Sequence, residues 1–130
     1  MCTMKEVCKE IGMNYETLKF YCKEGLVPNV KRDKNNYRNF DEKNIAWLKG
    51  IQCLRKCGLG VSEIKIYMNY CLQGPIPQRK DMLSQTKEHL LKRIAEINEC
   101  IEYIDNKQRF YDDVLEGKCR YTSNLIEINE

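Results

Sequence analysis

Cysteine and histidine are the side chains of this sequence that could carry covalent or metal chemistry. The 130 residues include eight cysteines and a single histidine, His89. No two cysteines form a CxxC pair, the spacing that begins many zinc sites, and Cys119 is the only cysteine after the longest helical pattern. We therefore expect free thiols in a reducing compartment, with no bound metal and no cofactor.

Cys53 has the sequence neighbours that would make a thiol reactive. At helical spacing, Lys49 lies one turn before it and Lys56 one turn after it, and nearby cations favour the nucleophilic thiolate. Cys57 follows on the same face, but residues four apart on a helix have Cβ atoms about 5 to 6 Å apart, too far for a relaxed disulfide. Adduct formation at Cys53 is the simpler hypothesis. The alternative is a buried cysteine that only packs its helix.

An enzymatic use of these thiols would need a base held beside the nucleophile. His89 lies in a different helical pattern, far from Cys53 in the sequence. We therefore predict that the protein is not an enzyme.

The charge of the chain is unevenly distributed. Residues 1 to 74 contain 13 Lys and Arg against 8 Asp and Glu, whereas residues 75 to 130 contain 9 against 11. The basic half is the candidate nucleic-acid surface. No run approaches the roughly 20 apolar residues of a membrane span, and the amino terminus lacks the apolar core of a signal peptide. We expect a cytoplasmic protein that does not contact a membrane.

Two short helices are predicted at the amino terminus. Thr3 and Glu6 have the spacing of a capping box before a helical apolar pattern that stops at Gly12. Asn14 is a suitable cap for a second helix from residue 15 to 23, and Gly25 ends it. Two short helices joined by a tight glycine turn predict a helix-turn-helix.

A wing and two more helices are predicted next. The polar, basic segment 29–36 leads to Tyr37–Phe40, and the Asn35–Asn36 pair suits a turn between two short strands. One helix should run from the Asp41 cap to Gly58, and another from Val61 to about residue 72. The stretch 74–77 contains two prolines and is predicted to interrupt the helices, so we divide the chain into a head, 1–74, and a dimerisation helix, 75–116.

The long helix carries an apolar seam. Between residues 78 and 116 apolar side chains alternate at spacings of four and three, with Lys87 and Gln108 as polar interruptions, which is typical of a coiled coil. A seam of this length implies a second copy of the chain, and a helix that packs within one chain is the alternative. The role of the tail, 117–130, is not predicted. The candidate dimerisation residues are Leu90, Ile94, Ile97, Ile101, Ile104, Tyr111 and Leu115.

The sequence resembles the MerR family of transcription regulators. The segments Thr17–Tyr21 (TLKFY), Gly25–Pro28 (GLVP) and Tyr37–Phe40 (YRNF) are similar in order and spacing to the family pattern TLRYY, GLLxP and YRxY/F, and LRKCG at 54–58 is similar to LRxxG. The resemblance covers about residues 1 to 116. It implies a mainly α protein with a winged helix-turn-helix head and a long helix that pairs antiparallel with its twin.

Both helix geometry and the resemblance indicate DNA-contacting side chains. A recognition helix enters the major groove by its amino-terminal part, which predicts contacts from Tyr15, Glu16, Thr17 and Lys19. Tyr21, Tyr37 and Arg38 match family positions that face the DNA backbone, although Phe20 and Tyr21 could instead be core aromatics. Lys19 replaces the usual Arg, and Glu16 stands where a basic residue is frequent, so the operator sequence is not predicted.

The resemblance further implies partners and a signal. Members of the family bind a palindrome in double-stranded promoter DNA and distort it, and through it they act indirectly on RNA polymerase. The segment around Cys53 is similar to the aldehyde- and electrophile-responsive branch named for AdhR and NmlR. The alternatives are a metal-sensing regulator and a coiled-coil adaptor that binds protein instead of DNA.

Overall fold

The computed structural model, which describes residues 1–128, is mainly helical, as predicted. Five helices and one two-stranded sheet follow one another along the chain. Their bounds are α1, Met4–Ile11; α2, Tyr15–Lys23; β1, Lys31–Arg32; β2, Arg38–Asn39; α3, Glu42–Lys56; α4, Val61–Gln73; and α5, Ile76–Leu115.

The predicted caps set the ends of the first two helices. The Thr3 side chain accepts from the Glu6 N–H and the Glu6 carboxylate accepts from the Thr3 N–H, so α1 begins with a full capping box. Gly12 ends α1 at φ +67°, a left-handed conformation that glycine adopts without steric strain. Two residues later the Asn14 side chain accepts from the Glu16 N–H at 2.8 Å, and α2 begins. The helix-turn-helix prediction is confirmed.

The wing is a small antiparallel sheet whose turn is held by one carboxylate. Asp33 accepts from the backbone N–H groups of Asn35 at 2.9 Å and Tyr37 at 3.0 Å, and Asn36 takes φ +66°. Cys2 and Phe40 exchange two backbone hydrogen bonds of 2.8 Å each. The start of the chain is therefore attached to the end of the wing.

The first four helices enclose one hydrophobic core, because each turns an apolar stripe inward. Asn44 is buried among these residues, where its side-chain amide donates to the Pro28 carbonyl at 3.2 Å. The largest side chains that are fully buried in this core are Val7, Leu18, Leu26, Phe40, Leu48, Ile51 and Ile64.

The prediction that residues 74–77 interrupt the helices was only partly right. Gly74 ends α4 at φ +92°, but Ile76 and Pro77 already belong to the first turn of α5. Proline is tolerated there because the first N–H groups of a helix have no partner within it.

The chain forms two compact units, Met1–Thr86 and Lys87 onward. The first turns of α5 therefore belong with the head, whereas the sequence suggested a boundary after residue 74. One contact shows the reason: Arg79 Nη2 donates to the Cys71 carbonyl at 3.3 Å.

The second unit consists of the rest of α5 and the tail. None of the forty residues of α5 is buried. After Gly117 the Tyr121 ring lies 6.3 Å from Phe110, and the Ser123 hydroxyl accepts from two following N–H groups. The predicted tail, 117–130, ends with residues 129 and 130, which are outside the described residues. In the part of the chain that is described, no helix is long and apolar enough to cross a membrane.

Candidate nucleic-acid interface

The amino-terminal part of α2 presents polar side chains to solvent. Tyr15 and Glu16 are exposed, and Thr17 and Lys19 are half-buried. Leu18, between them, is fully buried and fixes the rotation of the helix. The four residues predicted to reach DNA bases or phosphates thus lie on the first turns of α2, outside the core.

The two aromatic residues of α2 have different surroundings. Tyr21 is 7% exposed and belongs to the core, so the alternative of a core aromatic describes its ring. A contact between its hydroxyl and a phosphate stays a prediction. Phe20 is 46% exposed, so the expectation that it could be a core aromatic was wrong.

The wing carries two arginines in directly opposite positions. Arg32 pairs with Arg38 in the β1–β2 register. Arg32 Nη1 donates to the Asn36 carbonyl at 2.8 Å, and Arg38 Nη1 lies 3.7 Å from the Met4 sulfur. Like charges in opposite positions destabilise a sheet, and a bound polyanion would relieve their repulsion. Tyr37, also predicted to contact DNA, is exposed beside them.

Sequence reasoning missed Arg32. The signal was available, because Lys31, Arg32 and Lys34 form a basic run in the segment predicted to be the wing. Without the register of the two strands, no member of that run could be placed opposite Arg38.

The wing arginines act on the end of α2. Burial raises the pKa of the Cys22 thiol, and the positive charges of Arg38 and Arg32 oppose that rise. Both guanidinium groups are thus close enough to influence α2 electrostatically.

The thiol predicted to be reactive is accessible. Cys53 is exposed on α3, so the alternative of a buried packing cysteine was wrong, and Cys57 is half-buried. All eight cysteines are free thiols. Among residues 1–128 no group of three or more His, Cys, Asp or Glu side chains could hold a metal ion together.

A helix-turn-helix followed by a two-stranded wing with basic side chains defines the class of winged helix-turn-helix proteins. The model of the MerR HTH regulatory protein family matches residues 2–71. An uncharacterized HTH-type transcriptional regulator of Haemophilus influenzae is 32% identical over 111 residues, which are 84% of this chain and 82% of that protein.

Two further similar proteins are also transcription regulators. The HTH-type transcriptional regulator AdhR of Bacillus subtilis is 33% identical over 89 residues, 67% of this chain and 64% of AdhR. The crystal structure of HiNmlR, a MerR family regulator lacking the sensor domain, bound to promoter DNA, superposes with a TM-score of 0.77 at 31% identity, covering 88% of this chain and 89% of that one. The chain therefore belongs to the MerR family and is a transcription regulator.

Proposed function

We propose that the protein acts in the cytoplasm as a homodimer that binds a palindromic operator in promoter DNA and distorts it, which affects RNA polymerase through the DNA. The observation that carries this proposal is the presence, on one head, of exposed first turns of α2 and a wing with two opposed arginines. An α-helix fits the major groove, and a basic wing can hold the adjacent phosphates. The relative HiNmlR is bound to promoter DNA, which supports the same role here.

Each head would contact the operator through two surfaces, the first turns of α2 and the wing. Tyr15, Glu16, Thr17 and Lys19 would face base edges and nearby phosphates, with Glu16 able to accept from cytosine N4. Tyr37 and Arg38, with the hydroxyl of Tyr21, would hold the backbone. The energy to distort the operator would come from contacts that only bent DNA allows.

The exposed seam of α5 supports pairing of two copies. Ile97 is 54% exposed and Ile101 49%. Ile94, Ile104, Tyr111 and Leu115 are likewise exposed within one chain, whereas Leu90 is half-buried. A contiguous apolar stripe along several turns is costly in water, so a second α5 is its natural cover.

The charges in and beside the seam favour an antiparallel pair. Lys87 and Arg93 lie in the amino-terminal half of α5, and Asp105 and Asp112 lie in the carboxyl-terminal half. If two helices cross midway between Ile97 and Ile101, Lys87 lies beside Asp112 of the second copy, on the same flank of the seam. A parallel pair would instead bring like charges together.

The proposed signal is an aldehyde or another electrophile that forms an adduct at Cys53. The exposed thiol and the similarity of the chain to AdhR support this proposal. We expect Cys53→Ser to reduce induction by reactive aldehydes in a reporter strain. Full induction in that variant would refute the role of Cys53 and leave the DNA-binding proposal intact.

Operator binding tests the main proposal. We would titrate the full chain against the promoter DNA that flanks its own coding region, in gel shifts at several salt concentrations. Arg38→Ala combined with Lys19→Ala should weaken operator binding. The slope of log binding constant against log salt concentration should also become shallower, by about 0.9 for each phosphate that is no longer neutralised. Lys92→Ala, which removes a cation from the face of α5 opposite the seam, should leave the slope unchanged. An unchanged slope in the double variant would remove both residues from the interface, and no binding by the unaltered protein would refute the proposal.

A further inference from the structure

The tail forms a cavity against the last turns of α5. Gly117 takes φ +78° and the Lys118 N–H donates to the Asp113 carbonyl at 2.8 Å, so the chain reverses directly after the helix. The Tyr121 ring then lies 6.3 Å from the Phe110 ring, which holds the tail beside α5. The cavity between the two segments has a volume of about 240 Å³. It is lined by Tyr103, Asn106, Lys107 and Phe110 from α5 and by Ser123 and Asn124 from the tail.

The cavity lies beside the apolar seam of α5 and not on it. Tyr103 and Phe110 each come one position before a residue of the seam, and one position on a helix is a rotation of about 100°. The proposed pairing of two copies therefore does not use the side chains that line the cavity. Lys107, Phe110 and Ser123 are half-buried, whereas Tyr103 is exposed at the edge. At about 30 Å³ for each water, the cavity has room for about eight water molecules, or for a small ligand with a single ring.

Lys107 gives the cavity a positive charge that has no acidic neighbour on its helix. Three and four residues away from it lie Tyr103, Ile104, Phe110 and Tyr111. None of them is a carboxylate, so the usual ion pair along a helix cannot form. The ammonium group lies 6.0 Å from the centre of the Tyr103 ring, a weak cation–π contact. None of the described residues that line the cavity is acidic, so an anion could bind beside Lys107 without displacing a carboxylate.

Two neutral side chains at the cavity have hydrogen-bond donors to offer. The Asn106 side-chain oxygen accepts from Arg109 Nη2, which leaves the NH2 group of this amide to donate elsewhere. The Ser123 hydroxyl oxygen accepts from the N–H groups of Leu125 at 3.0 Å and Ile126 at 3.2 Å. A hydroxyl has two acceptor positions and one donor, so its remaining capacity is that of a donor. Ammonium, amide and hydroxyl donors are the groups that bind the oxygens of a carboxylate.

We propose that this cavity binds a small aromatic carboxylate. Lys107, the Asn106 amide and the Ser123 hydroxyl would hold the carboxylate group. Phe110 and Tyr103 would flank the ring of the ligand. The charge and the donors select an anion, and the two aromatic side chains favour a flat ring over an aliphatic one. The proposal depends neither on DNA binding nor on a reactive thiol, so it can fail or succeed independently of the proposed function.

Three ligands of similar size test the proposal. Benzoate has the ring and the charge, benzamide has the ring without the charge, and cyclohexanecarboxylate has the charge without the flat ring. Each would be titrated into the isotope-labelled full chain, and the shifts of the backbone amide signals followed by NMR. We expect saturable benzoate binding with shifts centred on residues 103–124, benzamide binding about tenfold weaker and cyclohexanecarboxylate binding about threefold weaker. Absence of saturation with benzoate, or shifts centred on the head, would overturn the proposal.

Substitutions of Lys107 test the source of the charge. Lys107→Met keeps an unbranched side chain without the ammonium group, and it should weaken benzoate binding about tenfold. Lys107→Arg should keep most of the affinity, because a guanidinium also binds a carboxylate. Lys92→Met is the matched control, since it removes the same charge from α5 at a distance from the cavity, and it should not change the affinity. Equal benzoate affinity in Lys107→Met and Lys92→Met would refute the assigned role of Lys107.

The preference for a flat ring is tested at Phe110 and Ser123. Phe110→Leu keeps an apolar side chain, and the ratio of benzoate affinity to cyclohexanecarboxylate affinity should fall toward one. Ser123→Ala should weaken both ligands by the same factor, about threefold, and leave that ratio unchanged. A ratio that stays about threefold in Phe110→Leu would refute the contact between the ligand ring and Phe110. A benzoate affinity unchanged in Ser123→Ala would refute the participation of the Ser123 hydroxyl.

Discussion

The head and the long helix use apolar residues in opposite ways. In the head, side chains from α1 to α4 meet in a shared core, and seven of its large apolar residues are fully buried. In α5 none of forty residues is buried, although its apolar residues are as regularly spaced. The head can bury its stripes because short helices cross one another. The seam of α5 is largely exposed in the part of the chain that the structure describes, and the proposed second copy would cover it.

Removing the apolar seam of α5 should have the largest effect on dimerisation and on operator binding. Ile97→Asp combined with Ile101→Asp puts four carboxylates at the centre of the proposed pair, and we expect the dimer to be lost at any practical concentration. Analytical ultracentrifugation would report the mass, and operator binding should disappear with it. Glu99→Ala, on the opposite side of α5, is the control and should stay dimeric. A dimer that survives the double change would show that α5 is not the interface.

Breaking the core should unfold the head without a specific effect on the seam. Leu18 is fully buried, so Leu18→Ala should cost about 3 kcal/mol of unfolding free energy, the typical loss for a buried leucine. Phe20→Ala changes a more exposed residue of the same helix and should cost far less. Urea unfolding followed by circular dichroism would compare them. Equal losses would mean that Phe20 is covered in the assembled protein.

The orientation of the seam should respond to charge. Lys87→Glu should weaken dimerisation about tenfold, since two pairs per dimer are reversed. Adding Asp112→Lys should restore it if the helices are antiparallel, because the pair is then re-formed with its signs exchanged. Sedimentation equilibrium at low salt would measure both. In a parallel pair these residues are several turns apart, and the second change would bring no recovery.

The smallest effect on stability should come from a change in the capping box of α1. Hydrogen bonds from Thr3, chiefly its backbone N–H, lower the pKa of Glu6 from its ordinary 4.5. A folded pKa below the unfolded one gives stability that is present above the unfolded value and is lost as pH falls through the folded one. Glu6→Gln keeps a capping side chain but cannot titrate, so thermal melts from pH 7 to 3 should show less acid destabilisation of the head. An identical pH dependence in both proteins would contradict the assignment.

Much of the candidate interface could be predicted because its signals are local. Asn14 caps α2, and the basic segment before Tyr37 forms the wing, as the sequence indicated. Arg32 was not predicted as part of the interface, because the register of the two strands decides which residues lie opposite each other. The different burial of Phe20 and Tyr21 could not be predicted for a similar reason. The two aromatic residues are adjacent on one helix, and the packing of the rest of the head decides which of them is covered.

By itself, the sequence determined where helices begin and end, because caps and glycine stops act over three or four residues. It also determined that α5 carries a seam, because heptad spacing is a property of one helix. Only the tertiary structure decided that Cys53 is exposed, that the first turns of α5 belong to the head, and that Arg79 donates to the Cys71 carbonyl. Those facts depend on side chains from different helices approaching one another, and distances of that kind are set by the packing of the whole core.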